Sequence, residues 1–468
     1  MRIRTPPLLS FLGSTVSIGL LVGLIWINST ATPTASAEAI PPHLTALRPI
    51  KGISYQPSPS NDPRNGTGVH FDQDYWNTDF PAFWGTDGQA GSRNDLDNIK
   101  NVGPTLLHLY DWNAQRNHTP FLDAANSRGM KVMVPISNFT AKTIVGTSGC
   151  SACGFGYKAA FNLVQGIFNQ VYLNNGTTPH PGVAMWGIFN EYDYNKIDPV
   201  NVVFVIQAIL TLENQRNIPV PNRLPITAPV SFARYRRSPA DERKALSPEL
   251  IAAFERAEVQ YLNDNPTQND ETIPSAVLAI LALANALQDA QTKTSYQSGF
   301  DSSPVAVAAI PADFWKNRLI ASTATFNLGP DLHDYLTNPN RFQAAFPGTT
   351  AFNTLPPLFF AELGRSQVDS KNDLQMEATD VLTQINCTHP LAVSGGTPQG
   401  YFLGSVFFQH TFVDAAHYEG QKFTGTFTSH TTQGNFPNQQ YRVDNLEPLP
   451  VWASVQVGYA NDAAVCPP

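Results

Sequence analysis

Two glutamates stand where carboxylates are costly unless they are used. Residues Gly182–Asp193 read GVAMWGIFNEYD, an apolar run that closes on Asn190 and Glu191. Residues Leu355–Gly364 read LPPLFFAELG and close on Glu362. An ionised carboxylate taken out of water needs a partner or a purpose. Two of them, each ending a run that reads as a buried strand, predict a two-carboxylate active site. Such a pair breaks glycosidic bonds: one carboxyl, kept neutral, protonates the leaving oxygen, while the other, ionised, attacks the anomeric carbon or activates water. A separation of about 5–5.5 Å gives retention of configuration and about 6.5–9.5 Å gives inversion. Each glutamate also has a plain structural alternative. Glu191 reads equally as a carboxylate at the start of the next helix, and Glu362 as the ion-pair partner of Arg365.

Other side chains are candidates to line the same cleft. The amide of Asn190 is placed to hold a sugar 2-hydroxyl, a contact that strengthens in the transition state. Tyr192 and Asp193 follow on the same rim. Tyr110, Asp111 and Trp112 end another apolar run. Asp111 there is a cleft residue or a turn cap. Trp112, Trp76 and Trp84 offer apolar faces that match the C–H face of a pyranose, or else simply fill core. Tyr335, in the segment Asp331–Tyr335 with His333, is a candidate hydrogen-bond partner for the nucleophile or a loop residue. The acidic groups Asp72/Asp74 and Asp331/Asp334 lack EF-hand spacing, so no metal is expected. No phosphate-binding glycine loop or nucleophile elbow occurs, and no cofactor is expected.

These residues need a frame. Eight short β-like runs punctuate the chain: Ile50–Gln56, Thr105–Asp111, Lys131–Ser137, Val183–Asn190, Leu224–Ser231, Arg318–Asn327, Leu358–Leu363 and Tyr401–Gln409. Helical spacing falls between most of them. Asn117–Arg128 runs up to Gly129, a helix C-cap; Gly156–Leu173 and Val202–Gln215 carry apolar stripes. Strand and helix alternating eight times predict the α/β class and a (β/α)₈ TIM barrel. The rhythm breaks once, between the fifth and sixth runs. Residues 232–317 are read as a helical insertion holding helices over Ser247–Leu262 and Ser275–Thr294. In such a barrel the active site lies at the C-terminal ends of the strands. Glu191 after the fourth and Glu362 on the seventh then face each other across the mouth.

The order "Asn-Glu after strand four, Glu after strand seven" resembles the glycoside hydrolases of clan A, retaining (β/α)₈ enzymes. The resemblance implies Glu191 as acid/base, Glu362 as nucleophile and Asn190 as the 2-hydroxyl contact. The opening Lys51–Pro57, KGISYQP, is similar to the first strand of glycoside hydrolase family 72, β-1,3-glucanosyltransferases of fungal cell walls, which implies Tyr55 in the donor cleft. Two positions depart from the clan pattern. Strand two carries His108 where an arginine is common, and strand eight carries Phe407-Phe408-Gln409 where a tryptophan platform is common. The function so implied is a retaining hydrolase or transglycosylase of a β-glucan-like polysaccharide. The alternatives are a barrel that binds carbohydrate without turning it over, and a surface protein whose glutamates are incidental.

Bulk properties set the setting. The chain has 468 residues, is 42% hydrophobic and only 14% charged, with a net charge of -8. Charged residues usually make up about a quarter. No basic block beyond Arg234–Arg237 is present, which argues against nucleic acid; a monomer with an oligo- or polysaccharide partner is expected. Met1–Arg4, an apolar stretch from Leu8 to Ile27 and the sequence Ala35-Ser-Ala37 read as an export signal cut after Ala37. The stretch 8–27 is also long enough to tether the chain to a membrane. Residues 38–468 form the catalytic domain, placed outside the cytoplasm. Four cysteines allow three disulfide pairings; Cys387–Cys466 and Cys150–Cys153 are the expected ones.

Overall fold

The computed structural model describes residues 42–57, 74–85, 93–138, 141, 156–173, 176–231, 275–296, 304–325, 356–364, 374–394, 402–409, 411–413, 427–435 and 442–462. All eight expected strands form, and all pair in parallel. They are Ile50–Ser54, Leu106–His108, Lys131–Ile136, Val183–Ile188, a fifth in two pieces (Ile226–Thr227 and Val230–Ser231), Leu319–Thr325, Leu358–Leu363 and Phe402–Phe407. Each pairs with the next, and the eighth pairs back onto the first, so the sheet closes on itself. This is the (β/α)₈ barrel.

Strand pleating sorts the side chains into two cores. Ile53, Leu107, Val132, Val134, Trp186, Phe360 and their neighbours face outward into a shell shared with the helices. Ile50, Leu106, Met133, Ile320, Phe359, Leu403 and Val406 face inward and fill the lower barrel, where Leu44 of the lead-in helix Pro42–Thr45 packs against them. The inner layer above them is polar: Ser54, His108, Thr227 and Ser322 are all buried. A close-packed apolar floor beneath a polar layer is the arrangement that supports a site at the mouth.

The helices follow the sequence closely. Thr119–Ser127 ends before Gly129, whose φ of 79° needs glycine. Gly156–Val171 buries one stripe, whereas Pro199–Gln215 is buried nearly all round. The latter starts three residues before its apolar stripe because the Asp198 side chain accepts from the Val200 amide and Pro199 takes the first turn. Ser275–Asp289 packs against Pro199–Gln215 and the fifth strand. It therefore occupies the place of the barrel's own helix between strands five and six, and the Ser247–Leu262 helix lies outside the described residues. Leu374–Ser394 and Pro450–Ala460 pack on each other and cover strands eight and one. A three-stranded sheet after strand eight, Thr411–Val413, Phe427–Asn435 and Arg442–Pro448, was not expected from the sequence. The export segment and three of the four cysteines lie outside the described residues; Cys387 is buried in the Leu374–Ser394 helix. No helix among the described residues is long and apolar enough to cross a membrane.

Candidate active site

Glu362 faces into the barrel because of a local irregularity. Along the seventh strand Leu358 and Phe360 belong to the outer core, and Phe359 and Ala361 to the inner one. Strict alternation would send Glu362 outward. Phe360 pairs with Thr323, however, and Glu362 with Ala324, so Ala361 has no counterpart on the sixth strand. This bulge shifts the pleat by one: Leu363 joins the outer core, and Glu362 turns inward. The His108 ring holds the bulge, with Nδ1 3.0 Å from the Ala361 carbonyl oxygen. Burial pushes His108 down to about 4, so the ring is neutral near pH 7, and its Nδ1–H donates to that carbonyl.

The Glu362 carboxylate, only 4% exposed, accepts two hydrogen bonds on Oε1. One comes from the Tyr110 hydroxyl at 2.9 Å and the other from Nδ2 of Asn190 at 2.9 Å. Asn190 lies 172 residues away in sequence, so this contact brings the two ends of the expected site together. The ring of Tyr110 packs on His108 with centroids 4.5 Å apart. His108, Tyr110, Gly187, Phe189, Asn190 and Pro229 line a small recess bordered by the two donors to Glu362.

Glu191 stands on a strained turn. Phe189 and Glu191 both have left-handed backbones, φ 52° and 46°, which cost non-glycine residues roughly 1–2 kcal/mol each. Side-chain amides hold the turn. Asn138, after strand three, donates to the Asn190 carbonyl (2.9 Å) and accepts from its N–H (2.8 Å). Asn195 donates to the carbonyls of Asn190 (2.9 Å) and Glu191 (3.1 Å). Strain kept in place by surrounding bonds is characteristic of functional sites. The next helix is capped by Asp198 and has no acidic residue in its first turn, so Glu191 is not a helix-start carboxylate.

The electrostatics fit a shared proton. Burial, then the Glu191 charge, pushes Glu362 up to about 8, while the bonds from Tyr110 and Asn190 oppose the shift. Glu191 is raised too, mainly by burial, against a bond from the Ser231 hydroxyl. Two nearby carboxyls that repel lose their protons as a pair. The two donors on Glu362 favour the negative charge there and the proton on Glu191. Among the described residues neither carboxyl has an ion pair; Arg365 lies outside them. No cluster able to hold a metal occurs among the described residues.

The other candidates are placed as follows. Tyr110 and Asn190 reach the carboxylate. Asp111 is half-buried on the loop beyond strand two. Tyr55 does not reach the cleft: one pleat beyond the outward Ile53, it is fully buried, and its hydroxyl donates to Asp95 at 2.9 Å, within a buried Arg93–Asp95 pair. Tyr192 is likewise fully buried and donates to the Ala279 carbonyl at 2.6 Å, anchoring the Ser275–Asp289 helix. Trp112 is 4% exposed and stacks on His118 at 3.9 Å, which in turn binds Asp74. Trp76 and Trp84 are core. Tyr335 and His333 lie outside the described residues. Sequence reasoning missed Asn138 and Ser231; polar residues ending strands three and five were the available signal.

No protein-family model matches the chain, and no curated protein matches it. Among solved structures it is similar to a mutant of Saccharomyces cerevisiae Gas2p in complex with laminaritetraose and laminaripentaose. That match has a TM-score of 0.43 and 12% identity, over 90% of this chain and 67% of that one. It is also similar to ScGas2 in complex with compound 6, with a TM-score of 0.44 and 13% identity, over 90% of this chain and 69% of that one. The chain thus spans about two thirds of the length of those proteins. The barrel is defined by its own ring of strand pairings.

Proposed function

We propose that the protein is a retaining glycoside hydrolase or transglycosylase acting on a β-linked polysaccharide. The observation that carries this reading is the 2.9 Å bond from Asn190, the neighbour of Glu191, to Glu362. It holds the turn that carries the half-buried Glu191 against the buried Glu362, which supports reading the two carboxyls as a pair in unequal settings. Glu362, stabilised as an anion by Tyr110 and Asn190, attacks the anomeric carbon. Glu191 gives its proton to the leaving oxygen, and a glycosyl ester on Glu362 results. Glu191, now ionised, takes a proton from water or from a sugar hydroxyl, and that oxygen displaces Glu362. Asn190 keeps a buried Oδ1 with no hydrogen-bond partner, which suits it to accept from a sugar 2-hydroxyl.

The apolar signal stretch and the charge-poor composition support action outside the cytoplasm. Laminari-oligosaccharides, such as the laminaritetraose and laminaripentaose in the yeast neighbour, are the first substrates to try, alongside β-glucans and β-mannans. Glu191→Gln and Glu362→Gln are each expected to abolish release or transfer of sugar. Activity surviving either change overturns the assignment. A wild type that binds one polysaccharide and transforms none would make the chain a binding barrel.

A further inference from the structure

Asp193 is a buried carboxylate, 7% exposed, with no ion pair among the described residues. Such a group is costly and calls for a reason. It lies two residues beyond Glu191, and its Oδ1 accepts the Ser231 backbone N–H at 2.8 Å. The Ser231 hydroxyl faces the Glu191 carboxyl and favours its anion. Ser231, the last residue of strand five, therefore bridges the two. The segment carrying them is fixed at both ends: Asn138 and Asn195 grip Asn190 and Glu191, and Tyr192 is moored to Ala279.

Resting on the reading above, we propose that Asp193 is a positioning residue for the acid/base: through Ser231 it orients the Glu191 carboxyl and keeps it the proton-carrying member of the cluster. Burial pushes Asp193 up to about 7, with the Glu191 charge adding to the shift and backbone N–H bonds from Ser231 and Tyr194 opposing it; Glu191 is raised as well, mainly by burial, and only the Ser231 hydroxyl opposes that shift. The two carboxyls compete for a proton, and the backbone N–H bonds that Asp193 alone accepts favour leaving that proton on Glu191. The other titratable groups around them are Glu362, the phenols of Tyr110 and Tyr192, and Asp198, which faces Tyr192. No described lysine, arginine or histidine pairs with either carboxyl. The role matters most after the first chemical step. Once Glu362 is an ester it carries no charge and no longer restrains Glu191 from ionising. Asp193 remains as the fixed negative neighbour. It strengthens Glu191 as the base that takes the proton of the incoming water or hydroxyl.

The test is Asp193→Asn, which keeps an acceptor for Ser231 and removes the charge, together with Ser231→Ala, which removes the bridge's hydroxyl. The pH profile is read on laminari-oligosaccharides and on an aryl β-glucoside with an activated leaving group that needs no acid. With Asp193→Asn, the alkaline limb should move to lower pH, by on the order of one unit. At a pH above the new limb, oligosaccharide cleavage should fall at least about tenfold, while formation of the glycosyl-enzyme from the activated glucoside is nearly unchanged. Side-chain carboxyl NMR titration of Glu191 reads the same shift without requiring turnover. An unmoved limb and an unmoved Glu191 titration in folded Asp193→Asn overturn the inference, even if Ser231→Ala is impaired. If wild type is inert on every glucan, the function reading fails instead, and the NMR titration still decides the coupling.

Discussion

Replacing His108 by alanine probes the bulge that aims Glu362. The change removes the Nδ1–H bond to the Ala361 carbonyl and leaves a buried acceptor unsatisfied, about 1–3 kcal/mol. It also removes the ring that packs on Tyr110, about 0.5–1.5 kcal/mol. A loss of roughly 2–4 kcal/mol in folding stability follows if the bulge persists. If the bulge relaxes, alternation returns and Glu362 swings toward the outer face. Misplacement by about 1 Å costs on the order of 10²-fold in rate. His108→Ala is therefore expected to lower kcat by about 10²-fold while KM stays near wild type. His108→Asn, whose amide N–H can stand in for Nδ1–H, should recover much of it. The assay is steady-state kinetics on the responsive glucan, with urea unfolding to separate rate from stability. A folded His108→Ala enzyme with kcat within about threefold of wild type would refute the idea that the ring holds the bulge.

Other outcomes follow from the same structure. His108 sits below its ordinary value of 6.5, at about 4, so the stability it lends is complete above pH 6.5. That stability drains away as pH falls toward 4, by about 3 kcal/mol in all; His108→Asn should flatten this part of the stability–pH curve. Glu362 and Glu191 are both raised by burial and titrate as a pair, Glu362 from 4.5 to about 8, so loss of the proton they share weakens the fold progressively as pH rises across that range. Glu362→Gln should therefore be more stable than wild type, by a margin that grows across that range in urea titrations. Asn138→Ala loses both bonds to the Asn190 backbone, about 1–3 kcal/mol, and should cut kcat at least tenfold in the same kinetic assay. Tyr55→Phe should leave KM unchanged and cost only about 1 kcal/mol on unfolding, because its hydroxyl serves Asp95 rather than the cleft.

The strands and both glutamates were legible in the sequence because buried parallel strands are short apolar runs, and a carboxylate at the end of one stands out. Side-chain direction was less legible. Tyr55 and Tyr192 lie close to the site in sequence, yet the pleat and the turn send both into the core. The direction of Glu362 depends on a bulge at Ala361 that no residue type announces. Trp112 was sorted by the ring of His118, whose place is set by partners distant in sequence, Asp74 and Gln170. Asn138 escaped notice because its value lies in two bonds to a backbone 52 residues away.

Trapping of the glycosyl-enzyme tests Glu362 as nucleophile most directly. Wild type incubated with an activated 2-deoxy-2-fluoro β-glycoside, digested and weighed by mass spectrometry, should carry one sugar on the peptide containing Glu362. The sugar should be lost slowly when an acceptor is added. A label on another residue, or turnover to the inverted anomer with no label at all, would contradict it.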